Sequence, residues 1–233
     1  MNPSPRPLRP DLAPGWLRPL VTAARDIDAV TLSNHRIPPP ADGRRAAVLV
    51  LFGEDAAHGP DVLLMERAST LRDHPGQVAF PGGGADPTDA DPVHTALREA
   101  EEETGLLPSG VQPLALLPNL FIPPSGFVVT PVLAHWTHPM AVHAVDPLET
   151  AAVVRVPVVT LADPAHRLRV RHPSGYIGPA FVVAGLLVWG FTGGILSALL
   201  DLGGWAQPWD TNRTLGLGEA WASARAGRRE VAR

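Results

Sequence analysis

The sequence predicts an α+β fold in which a mixed β-sheet lies between helices. Continuous apolar runs of strand length, such as residues 45–52 and 61–66, follow each other closely and are bounded by charged residues, Gly and Pro. A helical pattern comes next at 91–105, several more strand-like runs follow it, and a second helical pattern lies at 192–202. This order is typical of a sheet covered by helices, and 233 residues can bury one core with additions.

The first two strands, Arg45–Phe52 and Asp61–Glu66, are expected to pair through a turn at Gly59-Pro60. Before them, residues 15–28 carry apolar side chains at helical spacing, which predicts a short amphipathic helix. The later predicted strands are Val78–Phe80, Leu114–Leu117, Phe127–Trp136, Ala152–Val156 and Ala180–Trp189.

The central helix has sequence signals at both ends. Asp91 followed by Pro92 is typical of an N-cap with proline at the first helical position, and Gly105 is a typical C-cap. The expected buried face consists of Val93, Ala96, Leu97 and Ala100.

Composition excludes several functional classes. The formal net charge of −4, without a basic stripe interleaved with aromatic residues, argues against nucleic-acid binding. The chain has no Cys, which rules out disulfides and Cys nucleophiles and fits a cytoplasmic protein. Tyr176–Leu200 lacks charges over the length of a membrane span, but its Gly and Pro residues favour a buried strand and helix, so no membrane association is expected.

The chemistry is expected on the central helix, which carries four glutamates in five positions. Glu99, Glu102 and Glu103 stand at i, i+3 and i+4 and therefore share one helix face, whereas Glu101 points elsewhere. Carboxylates placed this way repel each other. A hard divalent cation such as Mg²⁺ or Mn²⁺ would remove the penalty, because it prefers clustered oxygen ligands.

The segment Arg98-Glu-Ala-Glu-Glu-Glu-Thr-Gly-Leu106 resembles the core of the Nudix box, Arg-Glu-U-x-Glu-Glu-x-Gly-U, with U apolar. The full box begins with Gly, five residues and a further Glu, which here correspond to Gly84 and Ala90. Ala90 is a departure. The loop here, Asp86-Pro-Thr-Asp89, resembles the Asp-Pro-x-Asp loop of the coenzyme A pyrophosphatase branch of the family. In the family the first Glu is mainly a structural partner, so its loss would leave the metal ligands intact.

A second motif points to the same branch. Leu63 to Gly83 resembles its signature Leu-Leu-x-x-Arg-x-x-x-Leu-Arg-x-His-x-Gly-x-Val-x-Phe-Pro-Gly-Gly. The likeness extends over about Trp16 to Trp205, and implies a Nudix-type α/β/α sandwich. We therefore expect a flexible tail at 1–14, a Nudix hydrolase domain at 15–212, and an Arg- and Ala-rich C-terminal tail at 213–233 that is either a marginal helix or disordered.

The resemblance implies the roles of the site residues. Glu99, Glu102 and Glu103 would hold one to three divalent ions, Mg²⁺ or Mn²⁺, together with a backbone carbonyl of Gly82 or Gly83. These ions would cancel pyrophosphate charge and lower the pKa of the attacking water. The base that accepts the proton of this water stays open among Glu102, Glu103 and Glu149.

Basic residues complete the expected site. Arg98 would pair with a carboxylate and orient the site, Arg67 and Arg72 suit bidentate phosphate contact, and His74 either binds phosphate or satisfies loop backbone. Pro81-Gly82-Gly83 would form a turn that the substrate approaches closely.

The activity implied is hydrolysis of the pyrophosphate bond of coenzyme A or an acyl-CoA, giving 3′,5′-ADP and 4′-phosphopantetheine or its acyl form. Two alternatives stay open. One is the same chemistry on another nucleoside diphosphate derivative, ADP-ribose or NADH, and the other is a Nudix module that binds a nucleotide without hydrolysing it. A homodimer is compatible with the sequence, which does not determine the oligomeric state.

Overall fold

A computed structural model describes residues 5–33, 37–123 and 125–231 of the chain. The helices are α1 (Arg18–Ala23), α2 (Ala29–Ser33), α3 (Pro92–Thr104), α4 (Val158–Ala162), α5 (Gly190–Leu202) and α6 (Leu217–Val231). The strands are β1 (Arg44–Asp55), β2 (Gly59–Arg67), β3 (Val78–Ala79), β4 (Gly82–Gly84), β5 (Val111–Leu116), β6 (Leu120–Ile122), β7 (Phe127–Trp136), β8 (Thr150–Pro157), β9 (Arg167–Arg171), β10 (Ile177–Val183), β11 (Leu186–Val188) and β12 (Thr214–Gly216).

The main sheet is mixed, with its path in the order β3-β2-β1-β7-β5. Strand β1 pairs antiparallel with β2, as expected, and parallel with β7, while β8 extends the sheet beyond β2. The apolar run of β1 suits this central position, because a strand that is buried on both faces reads as continuously hydrophobic.

Helices cover both faces of this sheet, which confirms the predicted α+β sandwich. On one face, α3 packs its apolar side chains against alternate residues of β1 and β7. On the other face, a second cluster joins β1 and β2 to α1 and α5. The alternation follows from the pleat, which sends successive side chains of β1 to opposite faces.

Both predicted caps of α3 are present. The Asp91 side chain accepts a hydrogen bond of 2.8 Å from the backbone N–H of His94, and Pro92 begins the helix. Gly105 closes it with a left-handed φ of 68°, a conformation that glycine adopts without a Cβ penalty. These caps fix which residues of α3 face the sheet and which face the glycine strand β4.

The uncharged segment at 176–200 forms a hairpin and a helix. The prediction of one strand over Ala180–Trp189 is wrong in detail, because Ala184 and Gly185 have φ values of 50° and 74° and turn the chain between β10 and β11. Helix α5 follows as predicted. Within the described ranges, no helix is long and apolar enough to cross a membrane.

The expectation of a C-terminal tail at 213–233 needs correction. Strand β12 pairs in parallel with β9 in a second sheet of order β11-β10-β9-β12, and α6 packs on that sheet. The physical reason is the spacing of Ala220 and Ala224, which places two fully buried small side chains on one face of α6. Residues 232–233 lie outside the described residues.

The predicted N-terminal tail also has contacts with the domain. The Arg9 backbone N–H donates to the Pro113 carbonyl at 3.0 Å, and Ala13 is buried. Residues 5–14 therefore lie along the edge of the main sheet next to β5, whereas residues 1–4 lie outside the described part.

Two alanine substitutions on α6 distinguish a docked helix from a tail. We expect Ala224→Glu to lower the free energy of unfolding by about 3 kcal/mol, because it buries an unpaired charge. Ala222→Glu, on the exposed side of the same helix, should change it by no more than about 0.5 kcal/mol. Urea denaturation measures both, and equal values for the two variants would contradict the docking of α6.

Candidate active site

The glycines after Pro81 form strand β4, not the isolated turn expected from the sequence. This strand pairs antiparallel with β1, with Ala47 opposite Gly83 and Val48 opposite Gly82. Gly82 has a φ of 154°, and a Cβ there would overlap the Ala47 carbonyl. A Cβ on Gly83 would overlap the carboxylate of Glu99. Gly82 therefore requires glycine, because it lies against the backbone of β1, whereas a side chain at position 83 would displace the Glu99 carboxylate.

Glu103 is the most buried carboxylate of the expected set. Its Oε2 accepts a hydrogen bond of 2.9 Å from the backbone N–H of Gly82. Burial raises the pKa of Glu103 to about 7, and the neighbouring charges of Glu99 and Glu149 act in the same direction. The Gly82 hydrogen bond and the charge of Arg67 oppose this rise. A carboxyl group in this environment gains stability from any added positive charge.

Glu99 and Glu102 both form ion pairs with the guanidinium of Arg98. The Nη1 atom of Arg98 lies 2.9 Å from Glu99 Oε1 and 3.1 Å from Glu102 Oε2. Burial raises the pKa of Glu99 even though the ion pair with Arg98 opposes the rise. The Glu102 side chain is 59% exposed, so it can turn with little cost, and Glu101 faces solvent as expected.

Arg98 is anchored by Asp89, a partner to which the sequence analysis assigned no role. Two parallel bonds join them, Nε to Oδ1 at 3.1 Å and Nη2 to Oδ2 at 3.0 Å, and Nη2 also donates to the Gly84 carbonyl. Such a fork is the strong, directional form of the Arg–carboxylate pair. The Asp89 side chain is only 2% exposed. Asp89 therefore supplies the structural carboxylate that Ala90 cannot.

The hydrogen bonds between Asp89 and Arg98 stabilise the charged form of both groups. Burial alone would raise the pKa of Asp89, but hydrogen bonds from Arg98, the Asp86 amide and His94 hold that pKa well below its ordinary value. The same pair keeps the pKa of Arg98 above its ordinary value. Asp89 and Arg98 are thus permanently ionised, and Arg98 remains a fixed positive charge beside Glu99.

Arg67 and Glu149 come to the same side of the site from neighbouring strands. Arg67 ends β2 opposite Thr150 of β8, and the Ala68 amide donates to the Glu149 carbonyl at 2.8 Å. The Nε of Arg67 is buried and, among the described residues, has no hydrogen-bond partner. A buried unpaired donor is uncommon and requires an explanation, which a bound anion would provide.

Arg72 and His74 lie in the exposed loop 69–77 that follows β2. His74 has a left-handed φ of 55°, and its Nδ1 lies 3.2 Å from Gln77 Oε1. In the part of the chain that is described, neither side chain forms a hydrogen bond or ion pair with the glutamates of α3. The structure thus brings Glu99, Glu102, Glu103, Gly82, Gly83, Arg98, Arg67 and Glu149 together, and in the described residues it shows no contact of Arg72 or His74 with them.

The residues fit a divalent cation after small side-chain movements. Across residues 5–33, 37–123 and 125–231, no three His, Asp or Glu side chains are gathered as metal ligands, because Glu99 and Glu102 reach Arg98 and Glu103 reaches Gly82. All three glutamates nevertheless lie on one face of α3. Two of them have pKa values raised by burial and crowding, which a cation would reverse.

Comparison with known proteins agrees with this site. Residues 42–177, more than half of the chain, match the sequence model of the NUDIX domain. A protein of Photorhabdus laumondii described as "Uncharacterized Nudix hydrolase NudL" is 40% identical over 136 residues, which are 56% of this chain and 71% of the relative. A NudL of Enterobacter sp. (strain 638) is 39% identical over 67% of this chain and 81% of the relative.

A crystal structure of the Nudix hydrolase RenU from M. smegmatis covers 72% of this chain and 89% of its own, at 20% identity and a TM-score of 0.48. The assignment rests on the domain match and on the NudL relative of which this chain spans four fifths. With the glutamate helix, the glycine strand and the domain match in agreement, this chain belongs to the Nudix hydrolase family.

Proposed function

We propose that this protein hydrolyses the pyrophosphate bond of coenzyme A or an acyl-CoA, giving 3′,5′-ADP and 4′-phosphopantetheine or its acyl form. The reaction class follows from membership of the Nudix hydrolases. The substrate is inferred from the motif between Leu63 and Gly83, which resembles that of coenzyme A pyrophosphatases. The observation that carries the proposal is the meeting of three glutamates, a glycine strand and Arg67, whose Nε is buried and, among the described residues, unpaired.

Each residue has a distinct part in the proposed reaction. Glu99, Glu102 and Glu103, with the Gly83 carbonyl, would hold Mg²⁺ or Mn²⁺. The bound cation would neutralise pyrophosphate charge and make water a better nucleophile. Arg67 would donate its free Nε–H to a phosphate oxygen, and Arg72 and His74 would contact phosphate from the loop. Arg98, fixed by Asp89, would hold Glu99 and Glu102 in position.

A carboxylate must accept a proton from the attacking water. Glu103 is one candidate, because its carboxylate is buried beside β4, where its Oε2 accepts a hydrogen bond from the Gly82 amide. Glu149 and Glu102 remain alternatives, since both are exposed carboxylates at the same site.

A product assay tests the proposal. We expect purified protein with Mg²⁺ or Mn²⁺ to release 3′,5′-ADP from coenzyme A, and Glu103→Gln to lower kcat about 100-fold or more, since the amide neither accepts a proton nor binds the cation well. Glu101→Gln, on the exposed face of the same helix, is the matched control and should keep the rate within about twofold.

Parallel reactions separate the alternatives. Faster cleavage of ADP-ribose or NADH than of coenzyme A would remove the substrate assignment while leaving the reaction class. Binding of coenzyme A by calorimetry, with no cleavage of any of the three substrates, would replace the enzyme by a nucleotide-binding module.

Cation binding has a second readout that does not depend on catalysis. We expect Mg²⁺ at about 100 times its Kd to stabilise the fold by about 2.7 kcal/mol, which corresponds to a rise in Tm of roughly 5 to 10 °C for a chain of this size. The double variant Glu99→Gln/Glu103→Gln should lose this rise, whereas Glu101→Gln should retain it. Differential scanning fluorimetry measures all three, and an undiminished rise in the double variant would contradict the ligand set.

A further inference from the structure

Helix α6 contacts strand β2 just before the loop at residues 69–77, and it contacts the loop near its C-terminal end. At the base, Nη2 of Arg228 lies 2.7 Å from Oε2 of Glu66, the residue that precedes Arg67 in β2. Near the C-terminal end of the loop, the indole ring of Trp221 lies next to Gly76. A Cβ atom placed on Gly76 would be 3.8 Å from that ring. The two contacts are seven residues apart on α6, about two helical turns, and therefore lie on the same side of it.

The loop is closed at its base by a hydrogen bond of 2.9 Å from the Arg67 amide to the Gln77 carbonyl. Two longer bonds lie within it, from the Leu71 amide to the Ala68 carbonyl at 3.3 Å and from the Gln77 amide to the His74 carbonyl at 3.2 Å. Between them, His74 and Gly76 have φ values of 55° and 67°. A non-glycine residue in the left-handed region persists only where its surroundings hold it there. The contact of Trp221 with Gly76 supplies such a constraint two residues away.

Helix α6 is itself firmly held. Ala220 and Ala224 are fully buried against the second sheet, and Trp221 packs partly against the same cluster. The turn at Gly185 approaches Arg228 so closely that a Cβ there would overlap the Arg228 side chain. The Glu66 side chain is 13% exposed and that of Arg228 49%, so their ion pair lies at the protein surface with its carboxylate partly buried. The helix can therefore act as a fixed support for the loop.

We propose that α6 is a positioning element of the substrate site, in which Arg228 and Trp221 hold the 69–77 loop in the conformation that binds the phosphates of the substrate. This inference rests on the proposed function for the identity of the substrate. Arg228 and Trp221 act through Arg67, Arg72 and His74, and among the described residues neither contacts the glutamates of α3. Loosening the loop therefore raises KM and leaves kcat nearly unchanged, because the groups that carry the reaction stay in place.

The ion pair allows a test by charge exchange. We expect Arg228→Glu to raise KM for coenzyme A about fivefold with kcat within about twofold, because two carboxylates then face each other at the base of the loop. Glu66→Arg should behave alike. The exchanged pair Arg228→Glu/Glu66→Arg should return KM to within about twofold of the wild type, which a merely structural loss at either position would not produce. Ala226→Glu, exposed on the same helix, is the control.

Hydrogen exchange of the 69–77 amides provides a readout that does not depend on the substrate. Arg228→Glu should accelerate their exchange, and the exchanged pair should slow it again. If Arg228→Glu fails to fold, Trp221→Ala carries the same expectation for KM and exchange.

The outcomes separate this inference from the proposed function. If the wild type hydrolyses coenzyme A and these variants leave both KM and loop exchange unchanged, the positioning role is overturned. An equal fall of kcat in the single variants and in the exchanged pair also overturns it. If the wild type does not hydrolyse coenzyme A, the proposed function fails, and loop exchange alone decides whether α6 holds the loop.

Discussion

The close approach of the glycine strand to helix α3 is the contact on which the rest of the site depends. Gly82 must be glycine, because a Cβ there would overlap the Ala47 carbonyl, and the absence of a Cβ at Gly83 leaves room for the Glu99 carboxylate. The approach allows the Gly82 amide to reach Glu103, and it buries two carboxylates that carry like charges. Burial and repulsion both disfavour the ionised forms, so the fold accepts a local cost that a divalent cation would remove.

Asp89 and Arg98 partly offset this repulsion, and they do so without a bound divalent cation. Asp89 binds Arg98 through two parallel hydrogen bonds, and Arg98 extends a single Nη1 to both Glu99 and Glu102. One buried carboxylate thus fixes the guanidinium that partly neutralises two others. The caps at Asp91 and Gly105 fix the ends of α3 and so the rotation of the helix about its axis. The face that carries the three glutamates therefore stays directed toward β4.

Local patterns in the sequence predict most of this arrangement, because strand runs, helix caps and the i, i+3, i+4 spacing are properties of neighbouring residues. Asp89 escaped assignment because its role depends on how the loop from Gly84 to Asp91 folds back onto α3, which spacing does not encode. Strand β9 does have a sequence signal, because Arg and apolar residues alternate from Arg167 to Arg171, as is typical of a half-buried strand. The buried face of α6 is made of alanines, which a hydrophobic pattern registers weakly, so the sequence alone allows either a marginal helix or a disordered tail there.

The end of β2 is where the main sheet contacts helix α6. The register of β2 against β8 shifts between Glu66 and Arg67, an irregularity of the kind that redirects side chains beside active sites. Glu66 pairs with Arg228 of α6, whereas the charge of Arg67 acts on Glu103 at α3. Two consecutive residues therefore connect the C-terminal helix with the glutamate site. Because Arg67 acts on Glu103 through its charge, a displacement of α6 that moves the end of β2 would reach the glutamate site through that charge.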